Sequence, residues 1–151
     1  MFPPGPTPRG APEEPSTGAM YRALTHNIEV KVTPRFLNDR SSPANNYYFW
    51  AYSIEIVNHG AETVQLVTRH WRITDALGRC QEVRGPGVVG EQPVLEPGRS
   101  YQYTSGVPLQ TPSGFMVGTY RMVTPAGRHF DVDVPAFSLD SPAIERDRTL
   151  N

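Results

Sequence analysis

The chain has 151 residues, of which 14 are Lys or Arg and 15 are Asp or Glu, so its formal net charge is −1. This near balance argues against binding of nucleic acid or anionic lipid through a large basic surface. The hydrophobic fraction of 38% is enough for the core of one domain of ordinary size.

The cysteine content and the hydropathy of the chain indicate the cellular compartment. Cys80 is the single cysteine, which excludes an intrachain disulfide and a four-cysteine zinc site and favours a reducing environment. The longest apolar run, residues 47–52, is too short to cross a bilayer, and the first residues lack the apolar stretch of a signal peptide. We therefore expect a cytoplasmic protein without membrane insertion.

Both ends of the chain lack the side chains that could join a core. Six of the 16 prolines fall in the first 15 residues, namely Pro3, Pro4, Pro6, Pro8, Pro12 and Pro15. We interpret residues 1–19 as a disordered Pro-rich tail. Such a segment can also be a ligand for aromatic-lined grooves, but no clean P-x-x-P with flanking basic residues stands out, so a linker is favoured. Residues 141–151 are predicted to fray, which leaves 20–140 as the folded domain.

Inside this domain, apolar residues recur at every second position, which is the pattern of half-buried strands. Ile28, Val30 and Val32 begin the series, and Phe130, Val132 and Val134 end it. The strands predicted between them cover residues 47–57, 64–74, 79–83, 99–105 and 115–124. Turn chemistry separates them at 58–60, 75–78 and 125–127.

No segment carries a sustained apolar pattern at helical spacing, and strands do not alternate with helices. Seven or eight short strands with turns at this interval predict an all-β fold, an antiparallel β-sandwich of the immunoglobulin or fibronectin type III kind. One strand changes parity, because Leu66 and Trp71 cannot both face the core of a flat strand. We predict a β-bulge or a switch between sheets at residues 67–70, with Trp50 and Trp71 in the core.

The stretch RGPGVVGEQP contains the spacing G-x-G-x-x-G of dinucleotide-binding loops. That site also needs a helix opening at the last glycine, and Pro93 and Pro97 forbid a regular helix there. Two interpretations remain. The glycines serve the backbone geometry of a long connection, or N–H groups between Gly87 and Gly90 form a shallow anion nest assisted by Arg84. In the second case the phosphate-binding residues are Arg84, Gly85, Gly87 and Gly90.

The sequence resembles the ApaG family of bacterial proteins over about residues 22–139. The resemblance is carried by the segments RHWRITDALGR, VRGPGVVGEQPVLEPG, YQYTSGVPLQTPSG, MVGTYRMV and FDVDVPAFSL. It implies a fibronectin type III-like sandwich, an association with cobalt and magnesium efflux, and a gene that neighbours that of a diadenosine tetraphosphatase. In eukaryotes the similar domain recruits substrates or partners. The resemblance supplies no catalytic residues, and the Pro-rich tail looks additional to it.

A search for catalytic and metal-binding motifs finds few candidate residues. No G-x-S-x-G, H-E-x-x-H or S-x-x-K appears. A Cys80–His70 pair across strands is conceivable but a lone cysteine favours packing. Asp131 and Asp133 share a strand face, which a solvated polar surface explains better than a metal site. We expect no catalytic residues, no metal site and no cofactor, and the protein is interpreted as a non-enzyme.

A partner surface is the remaining possibility. Aromatic side chains and arginine dominate binding hot spots, and Tyr47, Arg69 and Arg72 are the candidate contacts. Exposed sandwich edges would also allow a homodimer. We expect a non-enzymatic interaction module that acts through a protein partner and influences divalent-cation homeostasis indirectly, without nucleic acid. The alternative is direct binding of a nucleotide or dinucleoside polyphosphate at residues 84–90.

Overall fold

The computed structural model describes residues 19–142, so the predictions for residues 1–18 and 143–151 lie outside the described residues. The described residues form nine strands. These are β1 Tyr21–Thr25, β2 Ile28–Phe36, β3 Tyr48–Asn58, β4 Val64–Asp75, β5 Cys80–Pro86, β6 Val94–Leu95, β7 Ser100–Leu109, β8 Ser113–Val123 and β9 His129–Asp140. Two 3-10 turns, Asn38–Arg40 and Pro43–Asn45, lie between β2 and β3.

The strands form two antiparallel sheets packed as a sandwich, which confirms the predicted fold class. The first sheet has the order β1-β2-β3-β7, and the second has the order β5-β4-β8-β9 with β6 paired to β4. On one side of the sandwich β1 meets β9, where the Asp133 N–H donates to Thr25 Oγ1 at 3.2 Å. On the other side β7 and β5 are the outermost strands, and the Gly-rich loop lies there.

Two strands were not predicted, and β5 and β7 extend beyond their predicted ends. β1 carries the sequence YRALT, whose small and polar residues give a weak apolar alternation, and β6 is only two residues long. β5 continues through Gly85 and Pro86. Proline has no N–H to donate to a neighbouring strand, and it is tolerated here because β5 lies at the edge of the sheet. These additions do not change the topology class.

The core consists of the inward residues of both sheets. Ile28, Val30 and Val32 are at most 1% exposed, as their alternation predicted. Trp50 and Trp71 are also buried, as predicted. Trp71 packs edge to face against the rings of Tyr52, Tyr120 and Phe137, at centroid separations of 5.6, 6.1 and 6.3 Å. Burial of each such side chain contributes roughly 1.5–3 kcal/mol.

The predicted irregularity in β4 is confirmed. The register against β8 shifts between Leu66 and Thr68, so one extra residue at position 67 lets both Leu66 and Trp71 face the core. A second shift, between Met116 and Gly118 in the pairing of β8 with β9, was not predicted. Pro135 could have indicated this shift from the sequence. Proline has no N–H to pair with a neighbouring strand and is found at irregular positions of this kind.

Candidate functional site

The Gly-rich loop is a tight hairpin that follows β5. The Val88 N–H donates to the Glu91 carbonyl at 2.8 Å, and the Glu91 N–H returns a bond to Val88 at 2.9 Å. Between them Val89 and Gly90 have φ angles of 43° and 80°, the backbone of a type I′ turn. Gly87 also has a positive φ, and a Cβ at that position would collide with the Glu91 carbonyl. The spacing of the glycines thus serves hairpin geometry.

Part of the donor set of an anion nest is already used. The Gly87 N–H donates to the Val67 carbonyl at 2.8 Å, in addition to the Val88 bond within the hairpin. Arg84 is exposed on the outer face of β5, opposite His70 in the register. Phosphate binding by Arg84, Gly85, Gly87 and Gly90 therefore stays a prediction, with fewer backbone donors than the sequence suggested.

Arg69 holds this loop from the inside of the sandwich. Its Nη1 donates to the carbonyl oxygens of Pro86 and Gly87 at 3.0 and 2.9 Å. Gly85 leaves room for the guanidinium, because a Cβ there would lie 3.1 Å from Nη1. The inward direction of Arg69 follows from the bulge at position 67, which puts residues 69, 71 and 73 on one face. Its guanidinium therefore has a structural role, and its predicted role in partner binding stays a prediction.

Arg72 lies on the outer face of the second sheet in a small ionic cluster. Its Nε is 3.5 Å from Glu82 Oε2, and His70 Nε2 is 3.1 Å from the same oxygen. The hydrogen bond from His70, followed by that from Arg72, lowers the pKa of Glu82 below its usual range. Arg72 thus shares no cluster with Arg69, which points inward, or with Tyr47, which belongs to the other sheet.

Tyr47 is part of a preformed surface that we name the aromatic platform, consisting of Arg40, Tyr47, Phe49, Gly106 and Pro108. The rings of Tyr47 and Phe49 stack with centroids 6.4 Å apart at an interplanar angle of 15°. The Arg40 guanidinium carbon lies 5.9 Å from the Phe49 ring centroid, within reach of a cation–π contact. The tip of the Phe49 ring comes close to β7 because position 106 is glycine, where a Cβ would lie 2.4 Å from the ring Cζ. Pro108 is the cross-strand neighbour of Phe49.

Other large apolar side chains are exposed at the same end of the sandwich. Tyr47 is 41% exposed just before β3, Leu77 is 72% exposed in the turn after β4, and Phe115 is 47% exposed near the start of β8. The turns are tied together, since the Ala76 N–H donates to Thr111 Oγ1 at 3.1 Å. The sequence analysis named Tyr47 as a candidate contact, which stays a prediction, and did not name Arg40 or Gly106, although the outward parity of Phe49 within β3 was a usable signal.

The residues considered for reaction chemistry are not brought together. Cys80 is opposite Thr74 in the register, four positions along β4 from His70 or about 13 Å at ~3.3 Å per residue. Asp131 pairs with Arg121 at 3.5 Å. Among residues 19–142, no three or more His, Cys, Asp and Glu side chains converge on a point where they could hold a metal ion. In that same part of the chain, no helix has the length and apolar character to span a bilayer.

The architecture is that of an immunoglobulin-like or fibronectin type III-like sandwich module with an exposed aromatic end. The family model described as the ApaG domain matches residues 38–124, and the chain belongs to the ApaG family. Protein ApaG of Rhodopseudomonas palustris strain TIE-1 is 64% identical over 132 residues, which cover 87% of this chain and 100% of the relative. The corresponding protein of Paramagnetospirillum magneticum is 63% identical over 123 residues, or 82% of this chain and 95% of the relative.

Solved structures agree with this assignment. A crystal structure of an ApaA protein from Bordetella pertussis has a TM-score of 0.75 and 46% sequence identity, and the match covers 79% of this chain and 97% of that chain. The C-terminal domain of wzt, at a TM-score of 0.50 and 12% identity, covers 81% of this chain and 77% of that chain. The second likeness shows the fold alone.

Proposed function

We propose that this protein is a non-enzymatic binding module that contacts another protein through the aromatic platform. The observation that carries the proposal is the stacked arrangement of Tyr47 and Phe49 beside Arg40. Aromatic side chains and arginine are the residues that most often dominate binding energy at protein interfaces. Contact with a partner would bury this surface without further ordering of its rings.

Several contacts hold the backbone of the platform in place. Phe49 is held over Gly106, and its N–H donates to Ser41 Oγ at 2.9 Å. The Ser41 hydroxyl in turn donates to the Leu37 carbonyl at 2.8 Å, which fixes the 3-10 segment that carries Arg40. Side chains that are ordered in advance lose less conformational entropy on binding, so a small surface can give useful affinity.

The first test places a photo-crosslinking amino acid, benzoylphenylalanine, at position 47 of the full chain in cells that produce the protein. The matched control carries it at position 24, where the native Leu24 is 66% exposed on β1. We expect ultraviolet light to yield a discrete adduct with one other protein from position 47 and none of that mass from position 24. Absence of any adduct from position 47, or the same adducts from both positions, would overturn the proposal.

Point variants then measure how much individual platform residues contribute to the free energy of partner binding. Once the adduct identifies the partner, Tyr47→Ala and Arg40→Ala should each weaken its binding by about 1–2 kcal/mol, or roughly 5–30-fold, while Leu24→Ala should leave it unchanged. Circular dichroism and urea unfolding would check that the variants keep the wild-type fold. Equal binding by all three variants would exclude the platform as the contact surface.

The link to divalent cations forms a second part of the proposal. We infer that the association with cobalt and magnesium efflux, implied by membership of the ApaG family, reflects an indirect role through the partner. A strain that lacks the corresponding gene should regain wild-type cobalt tolerance with the native chain and with Leu24→Ala, but not with Tyr47→Ala. Calorimetric titration of the purified protein with Co²⁺ or Mg²⁺ should give no saturable heat, and saturable binding would favour direct ion binding instead.

A further inference from the structure

The sheet edges of the sandwich differ in how far their backbones are covered. The outermost strands are β1 and β7 in the first sheet and β5 and β9 in the second. β1 and β9 lie against each other, joined by the bond from the Asp133 N–H to Thr25 Oγ1. β5 carries the charges of Glu82 and Arg84 and ends at Pro86, and charges and proline discourage pairing with a further strand. Three of the four edges are therefore covered or protected.

The remaining edge, β7, is long, regular and uncharged. Its sequence, SYQYTSGVPL, includes no Lys, Arg, Asp or Glu. Its register against β3 has no bulge, and within residues 19–142 no other strand pairs with β7. Its one protective residue is Pro108, next to the end of the strand. Edge strands usually carry charges, bulges or proline that prevent addition of a further strand, so most of β7 is open to such addition.

The hydrogen-bond pattern shows which backbone groups of β7 point outward. The Asn58 N–H donates to the Arg99 carbonyl at 2.9 Å, so the odd-numbered residues of β7 turn their N–H and C=O groups toward β3. The even-numbered residues turn theirs away from it. Pro108 belongs to this second set, where its missing N–H removes no bond to β3. The outward N–H groups are those of Ser100, Gln102, Thr104 and Gly106.

The side chains around this edge indicate the kind of segment that it accepts. Gly106 leaves a gap on the outer face of the sheet, and the tip of the Phe49 ring lies at that gap. A large apolar side chain opposite Gly106 would therefore pack against an aromatic ring, a favourable cross-strand combination. Glu55, the cross-strand neighbour of Gln102, is already paired with Lys31 at 3.5 Å. A charged residue of an added strand would find no unpaired opposite charge beside Gln102.

A second copy of this chain would bury little surface at the same edge. Two β7 strands of this length, paired over about 34 Å with an edge ~10 Å wide, would cover roughly 340 Å² per copy. A stable interface buries about 800 Å² per partner. A partner segment is favoured instead, because it can contact the aromatic platform while it pairs with β7.

We propose that β7 accepts an extended, uncharged segment of a protein partner as an additional strand of the first sheet, with a large apolar side chain opposite Gly106. Main-chain hydrogen bonds to Gln102, Thr104 and Gly106 supply affinity, and the Phe49 ring supplies selectivity. Five residues are enough to span these three positions. The inference rests on the proposed function, because Gly106 and Pro108 belong both to β7 and to the platform.

The test uses the ¹⁵N-labelled full-length protein and a synthetic peptide, KTVTFTVTK, with blocked ends and one lysine at each end for solubility. Hydrogen–deuterium exchange followed by NMR reports each backbone amide separately. At saturating peptide we expect exchange to slow at least tenfold at Thr104 and Gly106, and far less at Tyr103 and Ser105, whose amides already face β3. The control peptide has aspartate in place of phenylalanine and should give no protection at the same concentration.

Proline substitution separates backbone pairing from side-chain contact. Thr104→Pro removes one outward N–H and no bond to β3, so it should weaken peptide binding at least fivefold, roughly the loss of one hydrogen bond. The matched control, Thr104→Val, keeps the N–H and should bind within twofold of the wild type. An unchanged indole signal of Trp71, which lies in the core, checks that both variants fold. The exchange pattern of the wild-type protein needs no variant.

The contrary results are distinct from one another. Peptide-induced shifts at Tyr47 and Phe49 without protection of the outward amides would exclude strand addition and leave the platform as a contact surface. Protection that grows with protein concentration in the absence of peptide would assign the edge to a second copy. Equal peptide affinity in Thr104→Pro and Thr104→Val, or no saturable change at millimolar peptide, would also overturn the proposal. The crosslinking from position 47 tests the platform independently of these amides.

Discussion

The hydrogen bond between Tyr103 and Tyr120 gives a quantitative test of how the sandwich interior is stabilised. The two hydroxyl oxygens are 2.6 Å apart, and they join β7 of the first sheet to β8 of the second. Tyr120 is completely buried, at 0% exposure, whereas Tyr103 is half-buried near the side of the sandwich where β5 and β7 are outermost. Because both hydroxyl groups are buried, loss of either one leaves the other without its hydrogen-bond partner away from water.

The two single substitutions should therefore have similar costs. Tyr103→Phe leaves the Tyr120 hydroxyl buried without a partner, which should cost about 1–3 kcal/mol in the free energy of unfolding. Tyr120→Phe leaves the Tyr103 hydroxyl buried in the same way, so we expect a cost in the same range. The double variant removes both polar groups and should cost less than the sum of the single variants.

Urea unfolding followed by tryptophan fluorescence measures these differences, with Tyr47→Phe as a control whose exposed hydroxyl should contribute under ~0.5 kcal/mol. The reasoning would be refuted if either single variant cost less than ~0.5 kcal/mol, or if the single costs were additive. Burial raises the pKa of both hydroxyls. Because the unfolded tyrosines release protons above about pH 10 while the folded ones keep them, stability should fall above that pH, and less steeply in the double variant.

Three further outcomes are expected. The hydrogen bond from His59 is the main cause of the lowered pKa of Glu29, so stability present above about pH 4.3 should be lost as the pH falls through the lowered pKa, and Glu29→Gln should remove this loss. Gly118→Ala should destabilise by about 1–3 kcal/mol, because its Cβ would lie 2.4 Å from the His70 carbonyl oxygen and 2.7 Å from the Trp71 ring. Diadenosine tetraphosphate at millimolar concentration should give no saturable amide shifts around Arg84.

Each of these outcomes has a control and a contradicting result. If the urea midpoint of Glu29→Gln fell with pH as steeply as that of the wild type below pH 4, Glu29 would not be the cause of the loss of stability in acid. Gly60→Ala, whose Cβ would meet its neighbours at 3.3 Å or more, should be far milder than Gly118→Ala, and equal costs would contradict the packing argument. Saturable nucleotide shifts that disappear in Arg84→Ala and weaken with salt would establish the phosphate site instead.

The fold could be predicted because its signals are local. Alternation along β2 and β9 showed which side chains face the core, and the parity change between Leu66 and Trp71 located the bulge to within a residue or two. β1 was missed because two of its inward residues, Ala23 and Thr25, are small and its outward Leu24 is apolar, so Tyr21 alone marks the inner face of the segment. Fold class thus follows from short-range periodicity, while marginal edge strands depend on tertiary context.

The candidate sites could be predicted only in part, because they depend on cross-strand register. Tyr47 was found from its residue type, but its stacking on Phe49 requires Gly106, which is 57 positions beyond Phe49 in the sequence. Arg69 was expected on the surface, and its inward direction follows from a one-residue shift in β4. Residue type identified the candidates, whereas pairing between distant strands decided their neighbours.

The Gly-rich loop shows why a spacing motif needs its structural context. Position 85 is small because the Arg69 guanidinium lies against it, position 87 because the Glu91 carbonyl comes close, and position 90 because the turn has a positive φ. Two different neighbours and one backbone angle thus produce the spacing that a phosphate-binding loop produces with one ligand and one helix. Because each glycine has its own cause, Gly85→Ala should disturb the Arg69 contacts alone, whereas Gly87→Ala should open the hairpin.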